Sequence, residues 1–592
     1  MKSATALWTL SPIAAIAVLA AGPARAEEPF VASSLYVPSA DGTRLAVEVF
    51  RPAQAAGPVP VLMIQRNGAE RNPNEDEAVR FFTTNGYAVI RQFRRGTGAS
   101  FGTQRGFVTR DDANDAKSVI DWAGVQPWSS GKVGTFGCSN QGAWQYVTAA
   151  TKPKHLVAMA PACASPTFFD DTMSRNGVST FIFEGRPPYN GECGEVPKPG
   201  EPVETDKDGA LAAAAAREHR CNAAFLGQYQ ANMHRDTVNT FLGYAPGMVD
   251  SVAMQAGEVR KSGVKFLQLA GWFDASPGGQ LLGQQLFGGH IVVGPWQHCW
   301  ARDPGFPESR FEQLKVQLRW FDATLKGANN GMLGEAPVRY YTMNAPAGTE
   351  WRTAARWPVP GARPATYHFA AGKTGSVDSL NDGALTAAPQ APGADRYRAD
   401  HSVQYFDGQY AGLMRYWAGD MRPGVDRKAV TYTMPALARP LEVTGTPVVR
   451  LWVRTSAPDA DFFAVLEDVA PDGKSTFVSD GAIRASRRKL SRAPWGDTGL
   501  PWHSNKAADD QPLQAGVPAR LDFAMMPTSW VFRSGHRLRV SIVNAAGKGF
   551  QQPPGTDPAN PASFEILRGG KYASSVTLPL MPARPIARKM RR

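Results

Sequence analysis

From residue 59 to residue 150, short apolar runs alternate with stretches of helical spacing, and few folds accept that rhythm. Val59–Gln65 is a continuous apolar run of the kind that is buried on both faces, and Tyr87–Gln92 is another. Between them, Asp76–Asn85 carries Ala78, Val79, Phe81 and Phe82 at helical spacing. Asp112–Gly124 repeats the pattern with Ala113, Ala116, Val119, Ile120 and Trp122–Ala123 on one face. A strand Lys132–Phe136 and a helix from Gln141 follow. Strands that alternate with helices imply a parallel, doubly wound sheet, so the fold class is α/β. Ahead of this unit, Ser34–Pro52 reads as a hairpin turning at Asp41-Gly42.

The rhythm stops near Pro166 and resumes near 258. The intervening stretch holds an Ala-rich helix, Leu211–Arg217, and a Pro-rich loop, Pro187–Pro202. It reads as a helical cap inserted over the sheet. Strands Val264–Ala270 and His290–Gly294 and an amphipathic helix Phe311–Leu325 then complete the core. After Pro337 the texture changes to short alternating strands parted by Gly, Pro and Asp. Val338–Met343, Ala365–Phe369, Ala429–Thr433, Val448–Thr455, Phe462–Val469, Thr476–Val478 and Leu538–Val543 together predict an all-β sandwich. The expected domains are a core over 27–165 and 258–336, a cap over 166–257 and a sandwich over 337–592. A chain of 592 residues has room for them.

The first 26 residues read as a secretory signal peptide. Lys2 supplies the basic start, Ile13–Ala21 the apolar stretch, and Ala24-Arg25-Ala26 the small-x-small cleavage site. That stretch is short for a membrane span, and Ser11 and Pro12 open it, so a retained anchor is the lesser reading. The mature protein is expected in the periplasm or secreted, with no stable membrane insertion. Export permits disulfides. Of five cysteines, Cys193 and Cys221 share one loop-rich stretch and form the expected pair, and the odd count leaves a thiol over. No C-x-x-C spacing occurs, so no metal is expected. The net charge of +12 is spread rather than clustered, with runs only at Arg484–Arg488 and Arg588–Arg592, and does not point to nucleic acid.

The strongest local signal is Val133-Gly134-Thr135-Phe136-Gly137-Cys138-Ser139-Asn140-Gln141-Gly142. A strand ends, one serine is set between small residues, and a helix begins. This is the pattern of a nucleophile elbow, in a G-x-S-x-x-G variant. A serine hydroxyl needs a base, and the base needs a carboxylate to orient it. In this fold class the chain order is Ser, acid, His. Asp274 closes the run Phe266–Asp274, just past one strand, and His298 closes Ile291–His298, just past the next. Catalytic groups of open α/β sheets gather at the carboxyl ends of strands, so Ser139, Asp274 and His298 are expected on one edge. A thiol nucleophile at Cys138 is disfavoured, because the elbow aims its central residue at the substrate.

With those pieces in view, the chain resembles the cocaine-esterase and Xaa-Pro dipeptidyl-peptidase-like family, which includes the α-amino-acid ester hydrolases. The resemblance runs through Asp41-Gly42-Thr43-Arg44-Leu45, Arg66-Asn67, Arg95-Gly96-Thr97-Gly98-Ala99-Ser100, the elbow, Gly271-Trp272-Phe273-Asp274 and Gly294-Pro295-Trp296-Gln297-His298. It continues through Leu441–Gly445, Ala457–Phe462 and Phe532–Leu538. It implies an α/β-hydrolase core with an inserted helical cap and a jelly-roll (galactose-binding-like) domain, and Ser139, Asp274 and His298 in the triad positions. The family commonly places an oxyanion-donating Tyr where this chain has Ala69, and often a Tyr where it has Asn140. Backbone N–H groups of Asn140 and near Gly68–Ala69 are the expected donors instead. The amino-acid ester hydrolases hold the substrate ammonium with carboxylates. Asp170-Asp171 resembles part of that cluster, but Ala275-Ser276-Pro277 supplies none of the rest. The favoured reading of Asp170 and Asp171 is a helix N-terminal cap pair.

The expected activity is that of a serine hydrolase, cleaving an ester or amide through an acyl-enzyme, with no cofactor. The expected partner is a small-molecule ester, amide or short peptide. Trp144, Trp272, Phe273 and Trp296 are candidates to line the acyl pocket, or to fill the core. The alternative is a catalytically impaired binding protein that uses its jelly roll, motivated by Ala69.

Overall fold

The computed structural model describes residues 28–66, 68, 72–179, 192–223, 229, 232–249, 251–299, 306–403, 405, 425–547 and 550–582. The signal segment 1–26, Ala69 and the basic tail Arg588–Arg592 lie outside the described residues.

A hairpin, β1 (Phe30–Pro38) and β2 (Arg44–Pro52), opens the chain and turns at Gly42, whose φ of 84° suits a residue without Cβ. Next come β3 (Val59–Arg66), β4 (Ala88–Phe93), β5 (Ser129–Cys138), β6 (Leu156–Ala162), β7 (Lys265–Gly271) and β8 (His290–Gly294). From β4 through β3, β5, β6 and β7 to β8 every pairing is parallel, as the strand–helix rhythm requires. Helices α1 (Pro73–Thr84), α2 (Arg110–Gly124) and α3 (Asn140–Ala150) connect them. Thr109 and Asp112 cap α2 reciprocally, and buried Asp112 also receives Nε and Nη2 of Arg94 at 2.8 and 2.7 Å. Two hydrophobic clusters cover the faces of this sheet, one around Trp144 and Ile120, the other around Phe82 and Phe321.

The sheet extends past residue 336. β9 (Val338–Tyr341) pairs in parallel with β8, and β10 (Trp351–Ala354) closes the edge antiparallel to it. Alternation correctly marks 338–343 as a strand but cannot say which sheet it joins. Nearly all of the C-terminal β-structure lies between Arg363 and Leu580 in a thirteen-stranded sheet. Its pairings are antiparallel except Asn381–Thr386 with Val430–Thr433. Its core is continuous with Trp272, Phe273 and Tyr340 of the first unit, so the two units share one apolar cluster.

Among its described residues, the inserted stretch is less helical than its Ala content suggests. Its longest helix is α4 (Ala210–His219), and residues 192–208 run without regular structure. A disulfide between Cys193 and Cys221 fastens this stretch. α5 (Pro277–Phe287) and α6 (Gln313–Phe321) complete the α/β unit.

Candidate active site

Ser139 is the single residue between β5 and α3, with φ 61° and ψ −124°. Such a backbone is disfavoured for any residue with a Cβ and persists only where the surroundings fix it. Two glycines make the turn possible. A Cβ on Gly137 would lie 2.6 Å from Cβ of Gln141, and one on Gly142 would lie 2.7 Å from the carbonyl of Ala162. That explains why the second small residue falls three positions after the serine. The N–H of Ser139 donates to the carbonyl of Ala162 at 3.0 Å, which ties the elbow to β6.

Asp274 follows β7 and His298 follows β8, so the three side chains meet at the carboxyl edge of the sheet. His298 Nε2 is 2.8 Å from Ser139 Oγ, and His298 Nδ1 is 2.8 Å from Asp274 Oδ1. A carboxylate only accepts, so Nδ1 carries the hydrogen and Nε2 is left to take the proton of Ser139. Asp274 is fully buried, and its other oxygen accepts from Ser276 Oγ. Burial opposes the charged imidazolium, but the charge and hydrogen bond of Asp274 outweigh it, so the His298 pKa sits above its ordinary value.

The structure brings Asn140 to the first turn of α3, where backbone N–H groups have no partner within the helix. Its side chain donates to the carbonyl of Phe107. Ala69, the other expected donor position, is outside the described residues. Asp170 and Asp171 lie in a short helical turn, Phe169–Met173. Asp170 pairs with fully buried Arg235, whose Nε also donates to the carbonyl of Ser504 at 2.8 Å. The Asp170 charge is thereby paired within the insertion, and Arg235 ties the insertion to the C-terminal unit. Asp171 accepts from Ser165 Oγ, from Thr167 Oγ1 at 2.9 Å and from the backbone of Gly279 near the start of α5. Burial pushes its pKa up to about 7. Both carboxylates line a cavity of about 430 Å³ with Trp357, Trp502 and Met525. Ser139, Asp274 and His298 are not among its lining residues.

The four aromatic candidates are core residues, a correction to the pocket reading. Trp144 is fully buried against α2 and β6 residues such as Ile120 and Met159. Trp272 donates its indole N–H to Tyr341 at 2.8 Å and packs on Trp357. Phe273 faces Phe477, and Trp296 packs between Phe311 and Trp351. Trp272, Phe273 and Trp296 adjoin Asp274 and His298 in sequence, but their rings are buried in the core. These rings bury large apolar areas where the sheet meets its neighbours.

Three features escape sequence reasoning. Glu75 on α1 accepts from Nε2 of Gln141 at 2.6 Å and forms an ion pair with Arg66, whose Nε lies 2.9 Å away, which braces the first turn of α3. Ser276 holds the far side of Asp274. Cys138 and Cys299 form a disulfide, and Cys163 is the free, buried thiol. The pairing of the serine and histidine flanks was open to notice, since Cys138 adjoins Ser139 and Cys299 adjoins His298.

Residues 41–300 match the X-Pro dipeptidyl-peptidase (S15 family), and residues 330–577 match the X-Pro dipeptidyl-peptidase C-terminal non-catalytic domain. The chain belongs to the cocaine-esterase and X-Pro dipeptidyl-peptidase-like family. Within this family it is 28% identical to a protein named as a serine esterase in Mycobacterium bovis, over 93% of this chain and 95% of the relative. It is also 28% identical to cocaine esterase of Rhodococcus sp., over 93% of this chain and 98% of the relative. A solved α-amino acid ester hydrolase superposes with a TM-score of 0.66 at 19% identity, covering 95% of this chain and 99% of that one. An aminopeptidase from a marine-sediment Thaumarchaeota archaeon gives 0.70 at 18% identity, covering 96% and 99%. The two structures share the family fold, a hydrolase unit followed by an all-β unit. Membership in this family of esterases and peptidases makes the chain a hydrolase.

Proposed function

We propose that this protein is an exported serine hydrolase that cleaves an ester or amide through an acyl-enzyme on Ser139. The observation that carries the reading is the continuous series from Ser139 Oγ through His298 to buried Asp274, with both contacts at 2.8 Å. Ser139 attacks the carbonyl as His298 Nε2 takes its proton. Asp274 keeps the imidazole in the reactive tautomer and stabilises the imidazolium. The oxyanion faces the N–H of Asn140 at the start of α3. His298 then protonates the leaving group, and water repeats the sequence to release the acid.

The substrate is a small ester, amide or short peptide without a required ammonium group. Asp170 is neutralised by Arg235, and the positions after Asp274 are Ala275, Ser276 and Pro277. Among the described residues no helix is long and apolar enough to cross a membrane. Two disulfides and the signal-like segment 1–26 support export, because thiols stay reduced in the cytosol.

A panel of p-nitrophenyl esters and dipeptidyl amides tests the reading. Turnover by the wild type and its loss in Ser139→Ala are expected. Undiminished turnover by a folded Ser139→Ala protein would refute it. Export predicts periplasmic protein beginning at Glu27, and cytosolic protein that keeps residues 1–26 would count against that part.

A further inference from the structure

Three of the five cysteines meet at Ser139 and His298. Cys138 directly precedes the serine, Cys299 directly follows the histidine, and a disulfide joins them across 161 residues of sequence. Cys163 lies beneath. Its Sγ accepts the backbone N–H of Cys299 at 3.1 Å, and its sulfur lies within 4.8 Å of ligand-type atoms of Asp274 and His298.

The backbone at these points is held in a conformation that side chains disfavour. Ser139, Cys163 and Cys299 have φ of 61°, 47° and 63°. A non-glycine residue stays there only when its surroundings leave it no alternative. For Cys299 those surroundings are the covalent bridge and the Cys163 sulfur. His298 lies beyond the last paired residue of β8, Gly294, so the sheet alone does not fix it.

We propose that the Cys138–Cys299 disulfide is a positioning clamp for catalysis, fixing His298 Nε2 against Ser139 Oγ. The proposal rests on the hydrolase reading above. The bridge ties the chain entering the nucleophile to the chain leaving the base, so neither residue can drift without the other. Proton transfer depends on that separation, and small misplacements of reacting groups cost large factors in rate. Cys163 braces the clamp without opening it. Burial, and after it the Asp274 charge, hold its pKa well above the ordinary range, and a protonated thiol does not attack a disulfide.

A clamp of this kind responds to redox conditions. Cys138 and Cys299 are both partly exposed, so a small dithiol can reach them. The dithiol gives up two electrons and two protons, becomes a cyclic disulfide and leaves two thiols on the protein. The chain would then be slow while its cysteines are reduced and fully active once they are oxidised.

The test uses the mature chain, an activated p-nitrophenyl ester and a fluorophosphonate that labels the reactive serine. Cys138→Ser/Cys299→Ser should lower kcat by about tenfold to a hundredfold. KM should stay within about twofold, since ground-state binding is untouched. The rate of fluorophosphonate labelling should fall with kcat. Cys193→Ser/Cys221→Ser, which breaks the distant bridge, should keep wild-type kcat. If the first variant does not fold, dithiothreitol on the Cys193→Ser/Cys221→Ser protein opens the same clamp. Activity should fall and return on reoxidation. A folded Cys138→Ser/Cys299→Ser protein with wild-type kcat, or no effect of dithiothreitol, would overturn the clamp alone. Oxidised wild type that neither labels nor turns over ester would overturn the hydrolase reading, and the clamp with it.

Discussion

Gln141, two residues after Ser139, donates its side-chain N–H to Glu75 on α1 at 2.6 Å, and Glu75 also holds Arg66 at 2.9 Å. The first turn of α3, which carries Asn140, is therefore braced from outside its own helix. Arg66 and Glu75 are both nearly buried, and Arg66 also faces Glu48 at 3.9 Å, so removing Glu75 weakens the pairing of Arg66 without abolishing it. Glu75→Ala should cost about 1–3 kcal/mol of stability by chemical denaturation. Glu75→Gln keeps the shape and loses the charge. It should remain folded and lower kcat more than it changes KM. Unchanged kcat in folded Glu75→Gln would mean that the brace is structural only.

Asp171 gives a stability prediction with a definite sign. Its folded value of about 7 lies above the ordinary 3.8, so the folded protein holds a proton that the unfolded chain releases. The stabilisation is complete below the ordinary value and is lost as pH rises through the folded one. Asparagine does not titrate. The Tm difference, Asp171→Asn minus wild type, should therefore grow more positive from about pH 5 to about pH 8.5. A constant difference across that range would show that Asp171 does not titrate there.

The elbow was legible because its constraint is local. Gly137 and Gly142 are the positions where a Cβ would strike the following turn or β6, and that requirement leaves its mark within ten residues. Asp274 and His298 were legible by order, each one behind its own apolar run. The aromatic residues were not. Whether Trp272 or Trp296 turns to a pocket or to the core depends on Tyr341, Trp357, Phe311 and Trp351, all distant in sequence or on other elements. Val338–Tyr341 shows the same limit, since alternation identifies a strand and not the sheet that takes it. The ion pair of Asp170 with Arg235 and the bridge of Cys138 with Cys299 are contacts that only the folded chain creates.

In the proposed mechanism attack on the carbonyl requires neutral His298, whose pKa is raised from 6.5, against the cost of burial, by the neighbouring Asp274 carboxylate. The ascending limb of kcat/KM against pH should have its midpoint above 6.5, with activity lost below it. Asp274→Asn removes the raising cause and leaves the lowering one, so its midpoint should fall below that of wild type. Its kcat should drop by about 10⁴-fold. A midpoint that does not move in Asp274→Asn would mean that another group sets the limb.

The proposed mechanism passes through a covalent intermediate on Ser139. Intact-mass analysis after fluorophosphonate treatment, followed by peptide mapping, tests it most directly. One adduct per chain is expected, on the peptide that carries Ser139, with none on Ser139→Ala and with ester hydrolysis lost in step with labelling. Hydrolysis that survives complete labelling of Ser139, or an adduct on another residue, would show that Ser139 is not the nucleophile.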